Sequence, residues 1–126
     1  YPPGALLSRT AKAHDRLSAA AIRPGDTVMI PVWALHRHRK LWDDPDAFRP
    51  YRWLDGPRPE RWQYLPFGDG PRICIGMRFA LQEATVILAT LLARYRVTPV
   101  PGRDPKPVMI LTTRPEGGVW LNVEMA

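Results

Sequence analysis

The stretch Phe67-Gly68-Asp69-Gly70-Pro71-Arg72-Ile73-Cys74-Ile75-Gly76, with the apolar run that follows it, decides how this chain is read. From Gly76 to Arg96, the residues Ala80, Ala84, Ile87, Leu88, Leu91, Leu92 and Tyr95 recur at helical spacing, which predicts one long helix. The opposite side is apolar too, with Phe79, Leu81, Val86 and Ala89. A helix apolar on nearly every face is buried in a large protein or spans a membrane. Spanning needs roughly 18 or more apolar residues with few charges, and Glu83 beside Gln82 interrupts this run early. The expectation is a central helix whose other neighbours lie outside this chain.

Just before that helix stands Cys74, the only cysteine. A lone cysteine ordinarily behaves as a small buried hydrophobe. At a helix entry, free N–H groups and the positive end of the dipole favour an anion, and so thiolate over thiol. Gly68, Gly70 and Gly76 carry no side chains, which lets a flat, bulky partner approach the backbone. Phe67 offers an aromatic wall, and Arg72 offers a fork of donors for a carboxylate. Thiolate, bare backbone and carboxylate clamp together describe a seat for an iron porphyrin with propionate groups. Cysteine thiolate is a known axial ligand of haem iron and pushes electron density towards O–O cleavage.

Working outward, 126 residues suit one domain. Hydrophobic residues at 45% against 24% charged exclude wholesale disorder. The 15 prolines, where average usage gives roughly six, exclude a tidy helical bundle. One cysteine permits no internal disulfide, and the spacings of Cys74, His14, His36 and His38 match no zinc pattern. The start, Tyr1-Pro2-Pro3-Gly4, is neither a signal nor a transit peptide and has no initiator Met, so the chain is expected to begin within something larger.

Tyr1 to Arg23 shows no sustained period, and Arg23-Pro24-Gly25-Asp26 is a turn signal leading into a strand from Thr27 to Val32. Pro31 puts that strand at an edge or ends it. Trp33 to Trp42 reads as about two helical turns. Asp43 to Pro71 carries six prolines yet also Phe48, Tyr51, Trp53, Trp62, Tyr64 and Phe67, an irregular segment expected to be pinned by buried rings. At the C-terminus, Val108–Thr113 and Val119–Val123 are expected to pair as a hairpin across Arg114–Gly118. The predicted class is α+β with abundant coil.

The loop resembles the ligand loop of the cytochrome P-450 family of haem-thiolate monooxygenases. That family's pattern, Phe-x-x-Gly-x-Arg-x-Cys-x-Gly, is matched in full by Phe67, Gly70, Arg72, Cys74 and Gly76. Phe48-Arg49-Pro50-Tyr51-Arg52-Trp53 is similar to the family's Pro-Glu-Arg-Phe segment, with Tyr51 where Glu is usual and Trp53 where Phe is usual. Ala34-Leu35-His36-Arg37, with Trp42 and Asp44-Pro45, resembles the stretch before it, and Tyr1-Pro2-Pro3 the residues after the family's Glu-x-x-Arg motif. The resemblance implies that residues 1–126 are the C-terminal haem-binding portion of a mainly-α fold. It implies haem b (iron protoporphyrin IX) as cofactor, Cys74 as the axial iron ligand, and Phe67 as its shield. Arg72 would bind a propionate; Arg9 is either a second propionate ligand or a solvated charge. Arg52 would be the third member of a Glu–Arg–Arg cluster. His36 is read as a structural hydrogen-bonding residue rather than a ligand.

No Glu-x-x-Arg occurs in the chain, and the helix that handles oxygen in that family is expected to lie outside it. Arg52 is therefore expected to lack its partners, and an unpaired buried charge costs about 3–5 kcal/mol. Two classes of function follow. One is a monooxygenase portion, whose parent enzyme inserts one oxygen of O₂ into a small organic substrate with electrons from NAD(P)H through a ferredoxin or flavoprotein. The isolated chain is then expected to be inactive. The other is a truncated remnant or haem-binding module without turnover. The formal charge of +6 and the cluster Arg37-His38-Arg39-Lys40 raise nucleic-acid binding, but no recognised motif accompanies them, and basic charge equally steers an acidic redox partner. The expectation is no nucleic-acid partner, no membrane span, and a soluble, cytoplasmic protein of bacterial type.

Overall fold

The turn at Arg23–Asp26 forms as the sequence predicts. The Asp26 carboxylate accepts from the Arg23 N–H at 2.7 Å, and Gly25 takes φ +92°, open to a residue without Cβ. The structure, a computed structural model, describes all of residues 1–126. They make two compact units, Tyr1–Pro66 and Phe67–Ala126.

In the first unit, β1 (Leu7–Thr10) pairs antiparallel with β4 (Thr27–Ile30), with Leu7 opposite Ile30 and Thr10 opposite Thr27. Between them, β2 (Asp15–Leu17) and β3 (Ala20–Ile22) form a small hairpin. Strand β4 stops at Ile30, because Pro31 has no N–H for a ladder. Pro31 instead precedes the helical turn α1 (Val32–Leu35). The two helical turns expected from Trp33 to Trp42 reduce to this one. Beyond it the chain closes separate turns, with the Leu41 and Trp42 N–H groups both donating to the His38 carbonyl at 2.8 and 3.0 Å. The core is small: Val32 is fully buried, and Ala5 and Leu65 nearly so. The Trp33 N–H, donating to the Ala5 carbonyl at 3.1 Å, ties α1 back to the segment before β1.

Residues 43–66 are irregular, apart from the helical turn α2 (Tyr51–Leu54). The expectation of buried rings needs correction here. Phe48 is 94% exposed, and Tyr51 and Trp62 also face solvent. The rings that do meet are Trp42, Trp53 and Tyr64, with centroids 4.5–6.0 Å apart.

In the second unit the predicted helix is α3 (Met77–Leu92), shorter at its C-terminal end than the pattern suggested. The Ala93 and Arg94 N–H groups close it on Ala89 and Leu91. Tyr95, counted at helical spacing, instead opens β5 (Tyr95–Pro99). The C-terminal hairpin is also paired differently. β6 (Pro107–Met109) pairs with β7 (Thr113–Pro115), while β8 (Leu121–Met125) pairs with β5. Two features redirect the chain. The Glu116 N–H closes the small hairpin on the Lys106 carbonyl at 2.8 Å, and Gly117 and Gly118 then both take positive φ. The β5–β8 ladder offers five paired positions, extended by Val100 N–H to Trp120 and Ala126 N–H to Arg94.

The class is thus mixed α+β, coil-rich, with small antiparallel pairs. What it lacks is burial. The accessible surface is 11009 Å², where a folded monomer of 14.3 kDa exposes about 6,800 Å². None of the residues of α3 is buried. No helix is long and apolar enough to cross a membrane.

Candidate functional site

The loop ahead of α3 is folded by its own polar groups. Gly68 and Gly70 take φ +74° and +71°, where a side chain would be strained. The Asp69 carboxylate accepts from the Gly70 N–H and caps a 3₁₀ turn over Gly70–Arg72, with Pro71 at its start. The chain then doubles back, so that the Cys74 N–H donates to the Phe67 carbonyl at 2.9 Å and the Met77 N–H to the Cys74 carbonyl at 3.3 Å. This places Cys74 three residues ahead of the first helical residue, Met77, with its side chain exposed.

The surroundings of the sulfur are bare. A Cβ built at Gly70 would meet nothing within 4 Å, and one at Gly76, which caps α3, would sit 3.9 Å from Cys74 Sγ. Arg72 is exposed at the end of the 3₁₀ turn, and Phe67 is half-buried. Phe67, Gly70, Arg72, Cys74 and Gly76 are therefore brought together in one ten-residue loop. An accessible sulfur, open backbone at two glycines and a free guanidinium fit a thiolate-held porphyrin with carboxylate arms.

Arg9 and Arg52 belong to the first unit. Arg9 stands on β1 and donates to the Ser8 carbonyl at 2.8 Å; it borders a groove of about 280 Å³ shared with Lys12 and His14. Arg52, expected to be short of partners, is not. Its guanidinium donates to the carbonyls of Asp43, Asp44 and Ala47 at 3.1, 3.0 and 3.4 Å, beside the Trp42 ring. Backbone carbonyls from one tight bend take the place of carboxylates. Arg52 also lines a cavity of about 380 Å³ with His36, Trp42, Phe48, Trp53 and Tyr64.

Around that cavity the structure shows residues whose roles the sequence did not reveal. In the sequence Arg37 reads as one charge of a basic cluster. Its side chain is only 16% exposed, lies 4.5 and 4.4 Å from the Tyr1 and Trp33 rings, and pairs with Asp46 at 3.5 Å. Trp33, four residues before Arg37, was the available signal. Arg49 bridges Asp43 and Asp44 at 2.9 and 2.8 Å. His36 makes the structural hydrogen bond its sequence context suggested: Nε2 accepts from the Leu65 N–H at 2.9 Å, and the ring packs on Tyr64 with centroids 4.8 Å apart. Burial, then the Tyr1 amino group and Arg37, hold the His36 imidazolium below its ordinary range. Burial pushes the Tyr64 phenol up.

A lone accessible cysteine at a helix entry, behind a loop of positive-φ glycines and an arginine, has the form of a haem-thiolate seat. Among known proteins, the cytochrome P450 family profile matches residues 1–122. The chain belongs to the cytochrome P450 family, whose members are haem monooxygenases. It is 41% identical over 119 residues to cyclooctatin synthase of Streptomyces melanosporofaciens, covering 91% of this chain and 26% of that protein. It is 39% identical over 120 residues to a cytokinin hydroxylase of Arabidopsis thaliana, covering 94% and 23%. It is 43% identical over 103 residues to cytochrome P450 3A13 of Mus musculus, covering 79% and 20%. The chain spans about a quarter of the length of the curated relatives it matches.

Proposed function

We propose that this chain is the C-terminal, haem-binding portion of a monooxygenase, in which Cys74 would hold the haem iron. The observation that carries this reading is the exposed Cys74 sulfur at the entry to α3, with unfilled space over Gly70. When bound, haem b supplies the iron at which dioxygen is activated for insertion of one atom into an organic substrate. The chain's own residues have narrower tasks. Cys74, exposed at the helix entry, would hold the metal through its sulfur. Phe67 would shield the sulfur, Gly70 and Gly76 would leave room for a flat ring, and Arg72 would take a propionate.

Arg52, already seated on three carbonyls, keeps unused donor capacity for a carboxylate, as the third member of a Glu–Arg–Arg cluster. The other two members, the oxygen-handling helix and most of the substrate pocket belong to sequence outside these residues. NAD(P)H supplies electrons through a ferredoxin or flavoprotein. The chain alone binds haem without hydroxylating.

A second reading, haem capture without turnover, is favoured by α3, none of whose residues is buried. Both readings are tested by adding haem to the purified chain and recording the reduced, carbon-monoxide-bound spectrum. A red-shifted Soret band that Cys74→Ala abolishes supports thiolate ligation; its absence in the unmutated chain overturns it. Hydroxylation by the chain alone, with any electron donor, contradicts the proposed division of tasks.

A further inference from the structure

An aspartate followed by glycine can be attacked by its own chain, because the glycine nitrogen lies near the carboxyl carbon and no Cβ blocks the approach. The sequence holds two such links, Asp55–Gly56 and Asp69–Gly70. Only the second is set for the reaction. Asp69 is extended, with φ −156° and ψ 167°, and the Gly70 N–H donates to its Oδ1 at 2.6 Å. The carboxyl carbon is one C–O bond from that oxygen, and rotation about Cβ–Cγ presents its face to the nitrogen. Gly70 is exposed, and a Cβ there would meet nothing within 4 Å, so water has access. At Asp55, ψ −13° turns the next nitrogen away from the side chain, and Gly56 lies against the Arg52 backbone. Asp15 makes the same contact, to the Arg16 N–H at 2.7 Å, but Arg16 carries a side chain and is held in the β2–β3 pair. The contact and the glycine coincide at residue 69.

We propose that Asp69–Gly70 is a self-modification site: with age the chain converts it to isoaspartate through a succinimide, and the cysteine loop opens. The Gly70 nitrogen bonds to Asp69 Cγ and gives up its proton. One carboxylate oxygen leaves as water, taking that proton and one more from solvent. Water then opens the ring at either carbonyl and returns a proton to solvent. Opening at Cγ restores aspartate. Opening at the main-chain carbon leaves the backbone running through Cβ and Cγ, one carbon longer, with the carboxylate on Cα. The composition is unchanged, and water alone is released and consumed. What changes is the loop. Its closing bond, from the Cys74 N–H to the Phe67 carbonyl at 2.9 Å, spans the lengthened link, and the carboxylate that capped the Gly70–Arg72 turn is displaced. All of these residues lie in the unit Phe67–Ala126. The chemistry at Asp69 does not depend on haem; that the change empties a porphyrin seat rests on Cys74 being the ligand.

The experiment ages the full chain without porphyrin at neutral pH in heavy-oxygen water. Its peptides are then mapped by mass spectrometry, with electron-transfer fragmentation to tell isoaspartate from aspartate. Isoaspartate carrying heavy oxygen is expected at 69, and about tenfold less at 55, the scale on which near-attack placement acts. Residue 15 should stay aspartate. Asp69→Glu, which keeps the charge but would have to close a larger ring, should yield none. Asp69→Asn, which forms the same succinimide by losing ammonia, should convert at 69 faster than the unmutated chain. In the isoaspartyl fraction, separated by chromatography, the Cys74 amide should exchange about tenfold faster than in the unaged chain, the size of one hydrogen bond. Four results overturn the proposal: aspartate retained at 69, equal conversion at 55 and 69, a stable Asp69→Asn chain, or an unchanged Cys74 amide in the isoaspartyl fraction. Haem uptake is recorded last, on both fractions. Loss confined to the isoaspartyl fraction is expected, and equal uptake by both contradicts the emptied seat. No uptake by either counts against Cys74 ligation and leaves the modification standing.

Discussion

Around Arg52 the backbone is irregular, yet each turn of it is held by a named contact; along α3 the backbone is regular for 16 residues, yet no side chain is buried. In residues 36–65, Arg52 gathers three carbonyls, Arg49 joins two aspartates, Trp42 donates to Leu35 and His36 accepts from Leu65. Apart from His36–Leu65, 29 residues apart, these contacts are short-range in sequence and need little from outside. Helix α3 satisfies its backbone internally and leaves Phe79, Val86, Leu88 and Leu92 more than half exposed. Regular hydrogen bonding does not stabilise a helix by itself, since most helical stability in proteins comes from packing of an apolar face. The irregular segment is therefore the more self-sufficient of the two.

That contrast can be broken by substitution, read as urea unfolding followed by tryptophan fluorescence. Arg52→Ala should have the largest effect, about 2–3 kcal/mol, because it removes a charged donor from three carbonyls of one bend. Lysine there, a point charge without the planar fork, should recover only part. Gly56→Ala comes next, at about 1–2 kcal/mol: its Cβ would lie 2.8 Å from the Arg52 carbonyl oxygen, and backbone must move. Trp42→Phe should cost about 1 kcal/mol, since the Leu35 carbonyl loses the indole N–H at 3.1 Å but keeps the His38 N–H. Leu88→Gln should be smallest, within about 0.5 kcal/mol, as for an uncovered surface position. A loss of several kcal/mol at Leu88 would show that α3 is covered within this chain and dissolve the contrast.

Acid sharpens the same comparison. His36 is harder to protonate in the fold than in the unfolded chain, so its contribution to stability is full above about pH 6.5 and declines as pH falls below that value. The slope should vanish in His36→Gln.

How much of this could be read from sequence follows from the range of the interactions. The cysteine loop was legible because every device in it is local: glycines at positive φ, an aspartate cap, proline opening a 3₁₀ turn, a helix starting at once. Helix α3 was legible by period, but not its end, because Tyr95 satisfies helical spacing and β-strand composition alike. Strands β1 to β3 were missed. They are three or four residues long, and β2 and β3 are almost wholly exposed, so no alternation marks them. The C-terminal pairing was misread because β8 finds its partner across an inserted hairpin, and a nearby turn signal says nothing about distant ladders. Arg52 was recognised by its motif, but carbonyls as its partners could not be, since backbone acceptors have no sequence signature.

The central claim is that one sulfur, Cys74 Sγ, binds haem iron. X-ray absorption at the iron edge of the haem-loaded full chain tests it most directly. A single sulfur scatterer in the first shell, lost in Cys74→Ala, is predicted. An iron shell of nitrogen and oxygen alone in the unmutated, haem-loaded chain would contradict it.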